Sequence, residues 1–576
     1  AALEFEQKLD FLTKGLRFKA LGTFKNWSKS INKYSAGWNK YLLGSYEQNE
    51  DGSYSYTTNR VGNEVSTDLN STNETAGDRR IYLEAMVDYN RTFGRHDVNA
   101  MLLYNQDELV NNVPGNNLIN SLPKRKQGLA GRLSYAYDGK YMAEVNMGYN
   151  GSENFAKGHR WGFFPSIALG YNISEESFFE PLRKVITSMK LRGSWGLVGN
   201  DQIGGERFIY MPTINLSGKG FTTGIDQNYG LSGPVYTRYE NNSITWEVGE
   251  KINLGIDLQL LNSLNIVVDI FRETRRDIFQ KKGTIPTYLG TGNTDVFGNL
   301  AEMKNQGLDL SIDYNKAFSK DFYMNFKGTF TYAHNEITKY DEAPKYAFQS
   351  KVGQSANVSQ GYLSNGLFLD EAEIDRYNQQ MGSTLGAGDI KYLNVSNMHG
   401  YGDDIVDVDD WTWIGNPTVP EIVYGFGPSF KYKNWDFSFF FQGVAKTSLF
   451  MSGFHPFGDN SLRNVLQFVA NDRWSPTNQN VDAKYPRLTR KTSLNNTNPG
   501  NSGRTSDYWM RDGSFLKLKN MELGYTFKRM RFYISGSNLL TFSKFDLWDP
   551  EQGGGSGLKY PTQRVFNVGF QMTFNN

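Results

Sequence analysis

The amino-acid sequence predicts an all-β protein and, within that class, a transmembrane antiparallel β-barrel. Three observations predict it. Apolar and polar residues alternate with period two in segments of roughly ten residues. Short and long connections alternate along the chain. Aromatic residues make up 15% of the sequence although its mean hydropathy is −0.55.

The composition excludes several other classes of protein. A chain of 576 residues with 59 Gly and 84 aromatic residues is too rich in both to be disordered, and it is too polar for a helical membrane protein. No run approaches the ~18 apolar residues that a spanning helix needs. The 61 basic and 60 acidic residues nearly cancel, so nucleic acid is not an expected partner. The absence of Cys excludes a disulfide framework and thiolate metal sites.

The alternation is visible from the first residues and recurs to the last. Residues 3–11 place leucines and phenylalanines on one face and charged residues on the other. Residues 81–90, 141–150 and 244–259 repeat the pattern, and the last such segment spans 564–574. This is the pattern of strands with one apolar and one polar face.

Connection lengths distinguish a membrane barrel from a soluble β-sandwich. Short turns are predicted at 13–15, 94–96, 138–140, 261–263, 315–320, 433–434 and 528–530. Long polar stretches lie between them, near 28–79, 106–127, 151–163, 198–242, 275–305, 335–420, 444–513 and 543–562. An outer-membrane barrel combines tight periplasmic turns with long external loops, whereas a sandwich has no reason to confine its long loops to one end.

Aromatic residues recur in pairs beside the short turns. The pairs are Phe11 with Phe18, Tyr137 with Tyr141, Tyr314 with Phe322, Tyr432 with Trp435, and Phe527 with Phe532. Aromatic rings favour the membrane–water interface, so we interpret these pairs as the periplasmic aromatic girdle. The alternative is ordinary core aromatics near hairpin ends, which would not recur at one end only.

The strand count predicts that the barrel is incomplete in this chain. About seventeen strands are expected, in pairs joined by short turns and followed by an unpaired strand at 564–574. Bacterial single-chain barrels have an even number of strands, and no strand edge can face lipid. We therefore expect residues 1–576 to be the C-terminal part of a larger barrel, or to pair with a second chain.

Several motifs carry a more specific resemblance. They include RLSYAYDGKYMAEVNMGYNGSENFAKGHRWGFFPSIALGYN (132–172), WEVGEKINLGIDLQL (246–260), WIGNPTVPEIVYGFGPSF (413–430) and YWMRDGSFLKLKNMELGYTF (508–527). In collinear order, these stretches resemble the SusC/RagA-like TonB-linked outer-membrane transporters of Bacteroidota.

The resemblance implies a complete fold and an activity. It implies a barrel of about 22 strands around an N-terminal plug, so that the plug and about five strands would precede Ala1. The implied activity is TonB-dependent import of oligosaccharides or peptides across the outer membrane, with a SusD-like lipoprotein lid and the TonB complex as partners and outer-membrane lipid around the wall. No enzyme activity is implied.

The sequence contains no recognisable set of catalytic residues. The five His residues are scattered singly, and neither a HExxH motif nor a phosphate-binding loop occurs. Two other functions stay open from the residues alone. One is a passive porin-like channel, and the other is a soluble glycan-binding β protein.

One acidic cluster is a candidate metal site. Asp403, Asp404, Asp407, Asp409 and Asp410 lie within eight positions, and the resembling family often carries an acidic loop just before the segment matching Ile414–Pro417. Oxygen ligands at alternate positions suit Ca²⁺. A solvated acidic turn is the favoured interpretation, and calcium, the only cofactor considered, is the alternative.

The sequence also leads to expectations for the loop aromatics, for two loop segments and for the last aromatic residue. Loop aromatics could stack on sugars, contact a lid or pack on one another: Tyr54, Tyr56, Tyr229, Tyr236, Tyr288, Phe457 and Trp474. We expect a structural role for Arg160–Ser166 and a flexible linker at Gly553–Gly557. Phe574 resembles the terminal aromatic signal that the barrel-assembly machinery reads.

Overall fold

Antiparallel strands dominate the computed structural model. It describes residues 1–115, 118–286, 288, 295–377, 379–380, 385–401, 403–457, 464–490, 495–496 and 505–574. Seventeen strands belong to long antiparallel ladders, which confirms the number counted from the sequence. They are β1 (Ala2–Lys8), β2 (Leu16–Ser35), β3 (Asn70–Phe93), β4 (His96–Asn111), β5 (Lys124–Tyr137), β6 (Tyr141–Ser152), β7 (Trp161–Asn172), β8 (Ile186–Asn200), β9 (Glu247–Leu260), β10 (Leu264–Lys281), β11 (Phe297–Ala317), β12 (Phe322–Lys339), β13 (Ile422–Tyr432), β14 (Trp435–Ala445), β15 (Phe515–Phe527), β16 (Met530–Ser543) and β17 (Val565–Met572).

Shorter elements occupy the long connections. The additional strands are Lys40–Gln48, Tyr54–Val61, Thr213–Thr223, Tyr229–Arg238, Ser359–Gly361, Ser364–Leu367, Gln379–Gln380, Ile390–Tyr392, Ile405–Val406, Thr412–Ile414, Ser448–Phe450 and Met510–Asp512. The α-helices are Leu118–Ser121, Glu371–Arg376, Val395–Met398 and Gln467–Asn471. The 3₁₀-helices are Ile173–Glu175, Ser177–Leu182, Ala347–Gln349, Val408–Asp410, Asp507–Trp509 and Pro550–Gln552. Within the described ranges, every helix is too short or too polar to cross a bilayer.

The predicted short turns are confirmed. Leu260 pairs with Leu264, so three residues form the turn between them. Tyr432 pairs with Trp435, so that turn contains two residues. Leu261, Asn262 and Lys433 have φ angles of 50°, 54° and 52°. A left-handed conformation costs an L-residue about 1 kcal/mol, which the paired strands on both sides of the turn offset.

The chain divides into two compact units, and each is described by itself. The first comprises Ala1–Arg91, Asn99–Arg132 and Gly148–Phe163. The second comprises Thr92–Val98, Leu133–Met147 and Phe164–Asn576. The assignment of all 576 residues to one barrel portion stays a prediction.

In the first unit, β2 is the central strand of a three-stranded ladder. It pairs with β1 on one side and with β3 on the other, from Leu16↔Tyr89 to Ser35↔Asn70 without a register shift. At ~3.3 Å per residue, the 20 residues of β2 extend over roughly 66 Å. A membrane-spanning strand needs only ~10 residues, so β2 continues well beyond one bilayer thickness.

The alternation separates the two faces of these strands. Ile81, Leu83 and Val87 of β3 are 37%, 44% and 40% exposed, and they lie on one face. On the other face, Arg80 donates two hydrogen bonds to Asp107, at 2.6 and 2.9 Å. Exposed apolar side chains opposite a charged face are what a lipid-contacting wall requires.

In the second unit, which contains β7 from Phe164 onward, the strands from β7 to β17 form one uninterrupted antiparallel succession. Each strand pairs with the next along the chain, through β10–β11 and β12–β13 to β16–β17. The connections after β12, β14 and β16 are long, and they carry most of the buried apolar residues in this unit.

Candidate functional site

An ion cluster lies on the polar face of β8–β10. The Arg192 Nη2 atom lies 2.8 Å from Asp257 Oδ1 and 3.0 Å from Asp269 Oδ2, and Arg192 Nε also donates to Asp257. The three residues come from three neighbouring strands. One guanidinium serves two carboxylates, so the cluster has a formal charge of −1.

A second cluster repeats this arrangement on β14–β16. Arg531 donates to Asp436 and to Glu522, the latter at 2.5 Å. A cavity of 350 Å³ lies on the same face and is lined by polar side chains that include Asn325, Ser438 and Glu522. The polar face of this unit is therefore built to contact water or a charged segment.

Aromatic rings form a continuous row on the opposite face. Direct cross-strand pairing joins six residues on six successive strands, β12 to β17. They are Phe322, Tyr432, Trp435, Tyr525, Phe532 and Phe570. Tyr432, Trp435, Phe532 and Phe570 are each about half exposed. The rings lie beside the short turns, as the sequence predicts, and their place at a membrane interface stays a prediction.

Sequence reasoning missed two members of this row. Tyr525 and Phe570 lie within strands rather than flanking a turn as a pair, and only the register places them level with Trp435 and Phe532. Counting alternate positions backward from the turn at 528–529 would have found Tyr525.

The remaining predicted girdle aromatics also lie beside short turns. Phe18 contacts Phe5 with 6.2 Å between ring centroids. Tyr141 stacks on Tyr171 and donates to Glu176 at 2.6 Å. The other predicted members make ring contacts or remain exposed: Phe11 is exposed, Tyr137 contacts His96, Tyr314 contacts Phe318, and Phe527 is exposed.

The long connections of the second unit fold onto a common apolar core, which we call the loop core. It contains Tyr362, Leu367, Ile390, Tyr392, Val406, Leu449, Met451, Phe454, Phe457, Val469, Trp474, Ala483, Tyr485, Trp509 and Phe545. Trp509 is fully buried and contacts Phe454 and Phe457. Burial raises the pKa of Tyr485 to about 12. The connections after β12, β14 and β16 therefore form a packed assembly.

A buried ion pair joins the connection after β12 to the connection after β14. Asp389 is fully buried, and it accepts hydrogen bonds from Arg487, from the Gly386 backbone amide at 2.9 Å and from Asn496 at 2.6 Å. The hydrogen bonds to Asp389 raise the pKa of Arg487 against the opposing effect of burial.

A second set of charges attaches the last connection to β15. The Lys517 side chain is 1% exposed, and its ammonium donates to Asp549 and, at 2.7 Å, to Glu551. Glu551 also accepts from Lys519 at 2.6 Å. Burial opposes the shift, but these hydrogen bonds hold the pKa of both carboxyls below their usual range.

The expectation of a flexible linker at Gly553–Gly557 is wrong. Gly555 donates to Phe450 and accepts from Ser452, both at 2.8 Å, and its φ angle of 129° is open to glycine alone. Trp548 Nε1 donates to Gly553 at 2.9 Å. The glycines permit a close backbone approach and hold the segment against the loop core.

Four of the five clustered aspartates make contacts within their own loop. Asp410 is buried and accepts from the backbone amides of Ser396 and Asp407, both at 2.8–2.9 Å. Burial raises the pKa of Asp410, and these hydrogen bonds oppose that shift. Asp407 accepts from the Asp409 amide. Hydrogen bonds that cap turns thus account for much of the acidic cluster.

The other aspartates of the cluster are engaged separately. Asp403 accepts from Asn394 and Ser396, Asp404 is exposed, and Asp409 pairs with Lys345. Among the described residues, no three acidic or histidine side chains converge on a position for a metal ion. Turn capping and ion pairing thus engage most of these carboxylates, and calcium binding by the loop stays an alternative prediction.

The loop aromatics separate into two groups. Phe457 and Trp474 are 1% and 5% exposed and belong to the loop core, so packing explains them. Tyr54, Tyr56, Tyr229, Tyr236 and Tyr288 are between 48% and 83% exposed. In the Arg160–Ser166 segment, Phe164 packs edge-on to Trp246 with ring centroids 5.3 Å apart. The structural role expected of the whole segment stays a prediction.

Phe574 lies beyond β17, where it is 79% exposed. The alternate residues Phe566, Val568, Phe570 and Met572 are exposed as well, so the apolar face continues to the last aromatic. Its recognition by assembly machinery stays a prediction.

Comparison with known proteins places this architecture in a family. Residues 4–539 match the family model described as TonB dependent receptor-like, beta-barrel. TonB-dependent receptor P3 of Formosa agariphila is 25% identical over 574 residues, covering 89% of this chain and 54% of that protein. TonB-dependent receptor SusC of Bacteroides thetaiotaomicron is 28% identical over 471 residues, covering 77% of this chain and 43% of that protein.

A solved structure shares the fold. It is titled as the RagAB peptide transporter and superposes with a TM-score of 0.68 at 19% identity, covering 98% of this chain and 60% of that chain. The chain spans about half the length of the curated relatives that it matches. With a family match over most of its residues, the chain belongs to the TonB-dependent receptor-like β-barrel family, whose members are outer-membrane proteins.

Proposed function

We propose that this chain supplies the wall and external loops of a TonB-dependent active importer of oligomeric nutrients, oligosaccharides or peptides. The observation that carries the proposal is the loop core, to which three long connections contribute buried residues. Loops that served only to connect strands would not need this buried aromatic core. A rigid assembly of this kind provides a preorganised surface on which a partner can dock.

The partner for that surface is a SusD-like surface lipoprotein. The family membership and the similarity to SusC support this assignment. Oligosaccharide and peptide stay alternatives as substrate, because one relative is named SusC and another structure is titled as a peptide transporter.

The polar face can contact a charged plug segment. The ion clusters of Arg192 and Arg531 each carry a formal charge of −1, so a plug segment with basic residues can pair with them. TonB would act on such a plug.

Uptake measurements in a strain that produces the complete protein test the proposal. The protein is deleted and restored, and import of radiolabelled oligosaccharide and peptide mixtures is compared with import of their monomers. We expect oligomer uptake to require the protein and to stop when TonB is deleted or a protonophore is added. Oligomer uptake that persists without TonB would identify a passive channel.

A further inference from the structure

A concave groove opens on the apolar face of the first unit. Its volume is 390 Å³. Ile81, Leu83 and Trp161 form its apolar lining and are 37%, 44% and 42% exposed. The strands continue from here into the long connections, so the groove lies where the apolar wall gives way to polar residues.

Gly151 gives the groove its depth. A Cβ atom at this position would lie 3.1 Å from the indole of Trp161, so a side chain would displace the ring or fill the space beside it. Trp161 also stacks on Tyr149, with ring centroids 4.7 Å apart and planes inclined by 16°. The indole is therefore a firm wall of the groove, and tryptophan favours the level of lipid headgroups.

Charged groups of both signs line the same groove. Arg125 Nε donates to Glu108 Oε2 at 2.7 Å, and Arg125 Nη1 lies 4.0 Å from Glu153 Oε1. The Arg125 side chain is 53% exposed. A guanidinium has five N–H donors, so an exposed one held between two carboxylates can still donate to an anion.

The charges of the whole lining balance. On the face of the groove, Glu108 and Glu153 are acidic and Arg125 and Arg160 are basic. The side chain of Asp107 lies on the opposite face, where it pairs with Arg80. Gln106 and Gln127 add amide groups and lie 3.3 Å from the Tyr104 hydroxyl. A purely anionic headgroup would meet the carboxylates, whereas a headgroup with a cation and an anion can satisfy both signs.

We propose that this groove binds the aminoethyl phosphate headgroup of a membrane lipid. The phosphate lies at Arg125, and the primary ammonium lies at Glu108 and Glu153. The acyl chains leave the groove along the apolar surface of Leu83 and Trp161, which is continuous with the lipid-contacting wall. The site requires only that the wall faces lipid and does not depend on the transport proposal.

Lipid retention tests the site directly. The complete protein is reconstituted in vesicles with equal amounts of phosphatidylethanolamine, phosphatidylcholine and phosphatidylglycerol, extracted in mild detergent, and examined by native mass spectrometry. We expect one retained phosphatidylethanolamine per chain. The quaternary amine of choline cannot donate hydrogen bonds to the carboxylates, and glycerol has no cation, so both lipids should be retained at least fivefold less.

Matched variants separate the groove from general lipid binding. Arg125→Gln and Glu153→Gln should each lower phosphatidylethanolamine occupancy at least fivefold, while Arg125→Lys retains more of it. Lys33→Gln removes a partner of Glu74 outside the groove and should leave occupancy unchanged. Heat-modifiable gel mobility verifies folding, and if Arg125→Gln does not fold, Glu153→Gln decides. Equal retention of the three lipids, or unchanged retention in the folded variants, would overturn the proposal.

Discussion

Trp435 and Tyr525 lie directly opposite each other on β14 and β15, with their ring centroids 4.8 Å apart. Aromatic pairs at such distances contribute ~0.5–1.5 kcal/mol beyond the area they bury. We expect a double-mutant cycle of Trp435→Ala and Tyr525→Ala to give a coupling free energy of about 1 kcal/mol. Reversible unfolding in urea from lipid vesicles measures it.

The control for this cycle uses a ring outside the aromatic row. Phe542 is 56% exposed and pairs with Leu516 near the other end of β16. Trp435→Ala and Phe542→Ala should be additive within ~0.5 kcal/mol. A coupling as large as that of the first pair would show that the row has no special interaction.

The Asp389–Arg487 pair should control the stability of the loop core. Arg487→Met leaves a fully buried carboxylate without its cation, which typically costs ~3–5 kcal/mol. We expect proteases added to intact cells to cleave the connections after β12 and β14 much faster in this variant. The added substitution Asp389→Asn removes the stranded charge and should restore part of the protection.

A solvent-exposed ion pair provides the comparison. Lys484 lies 3.5 Å from Asp472 and its side chain is 69% exposed, so Lys484→Met should change stability by less than ~1 kcal/mol. Equal protease sensitivity in Lys484→Met and Arg487→Met would contradict the role assigned to the buried pair.

Acid should release the last long connection from β15. The folded-state pKa of Asp549 and Glu551 lies below the usual value, so their ion pairs with Lys517 contribute stability at neutral pH. That contribution is present above the unfolded-state pKa and disappears as pH falls below about 4. Hydrogen exchange of residues 549–562, corrected for intrinsic rates, should accelerate between pH 6 and pH 3.

A variant without these carboxylates should lack the acid response. Asp549→Asn combined with Glu551→Gln should exchange rapidly at both pH values. If the wild-type protein shows no acceleration at pH 3, these carboxylates do not attach the connection.

Deleting the residues from Phe574 onward should reduce insertion into the outer membrane. The physical reason is loss of the last exposed aromatic on the apolar face that continues from β17. Surface labelling of intact cells measures the inserted fraction. Phe574→Tyr keeps an aromatic ring and should insert normally, and unchanged surface labelling of the truncated protein would refute the assignment.

Periodicity predicted the strands well because it is a local property. Each residue between Leu16 and Phe24 faces one side or the other by its position alone, and hydrogen bonding to the neighbouring strand needs no particular side chain. The short turns were predictable for the same reason. Tyr525 and Phe570 escaped notice because their places in the aromatic row depend on pairing register.

The loops were predicted less well because their contacts join residues distant in sequence. The acidic run at 403–410 favoured a solvated turn over a metal site, yet Asp410 is buried and accepts hydrogen bonds from the backbone amides of Ser396 and Asp407. The glycines at 553–557 suggested flexibility, yet Gly555 pairs with Phe450, more than a hundred residues away in the chain.

The sequence by itself determined the class of fold, the number of long strands, the positions of the short turns and the family, since alternation and motif order are written residue by residue. The tertiary structure alone decided which loop aromatics are buried, which aspartates cap turns, and where Arg125, Glu108 and Glu153 meet beside Trp161. The physical reason is that burial and ion pairing depend on which distant segments pack together, and the local pattern of a chain does not specify that choice.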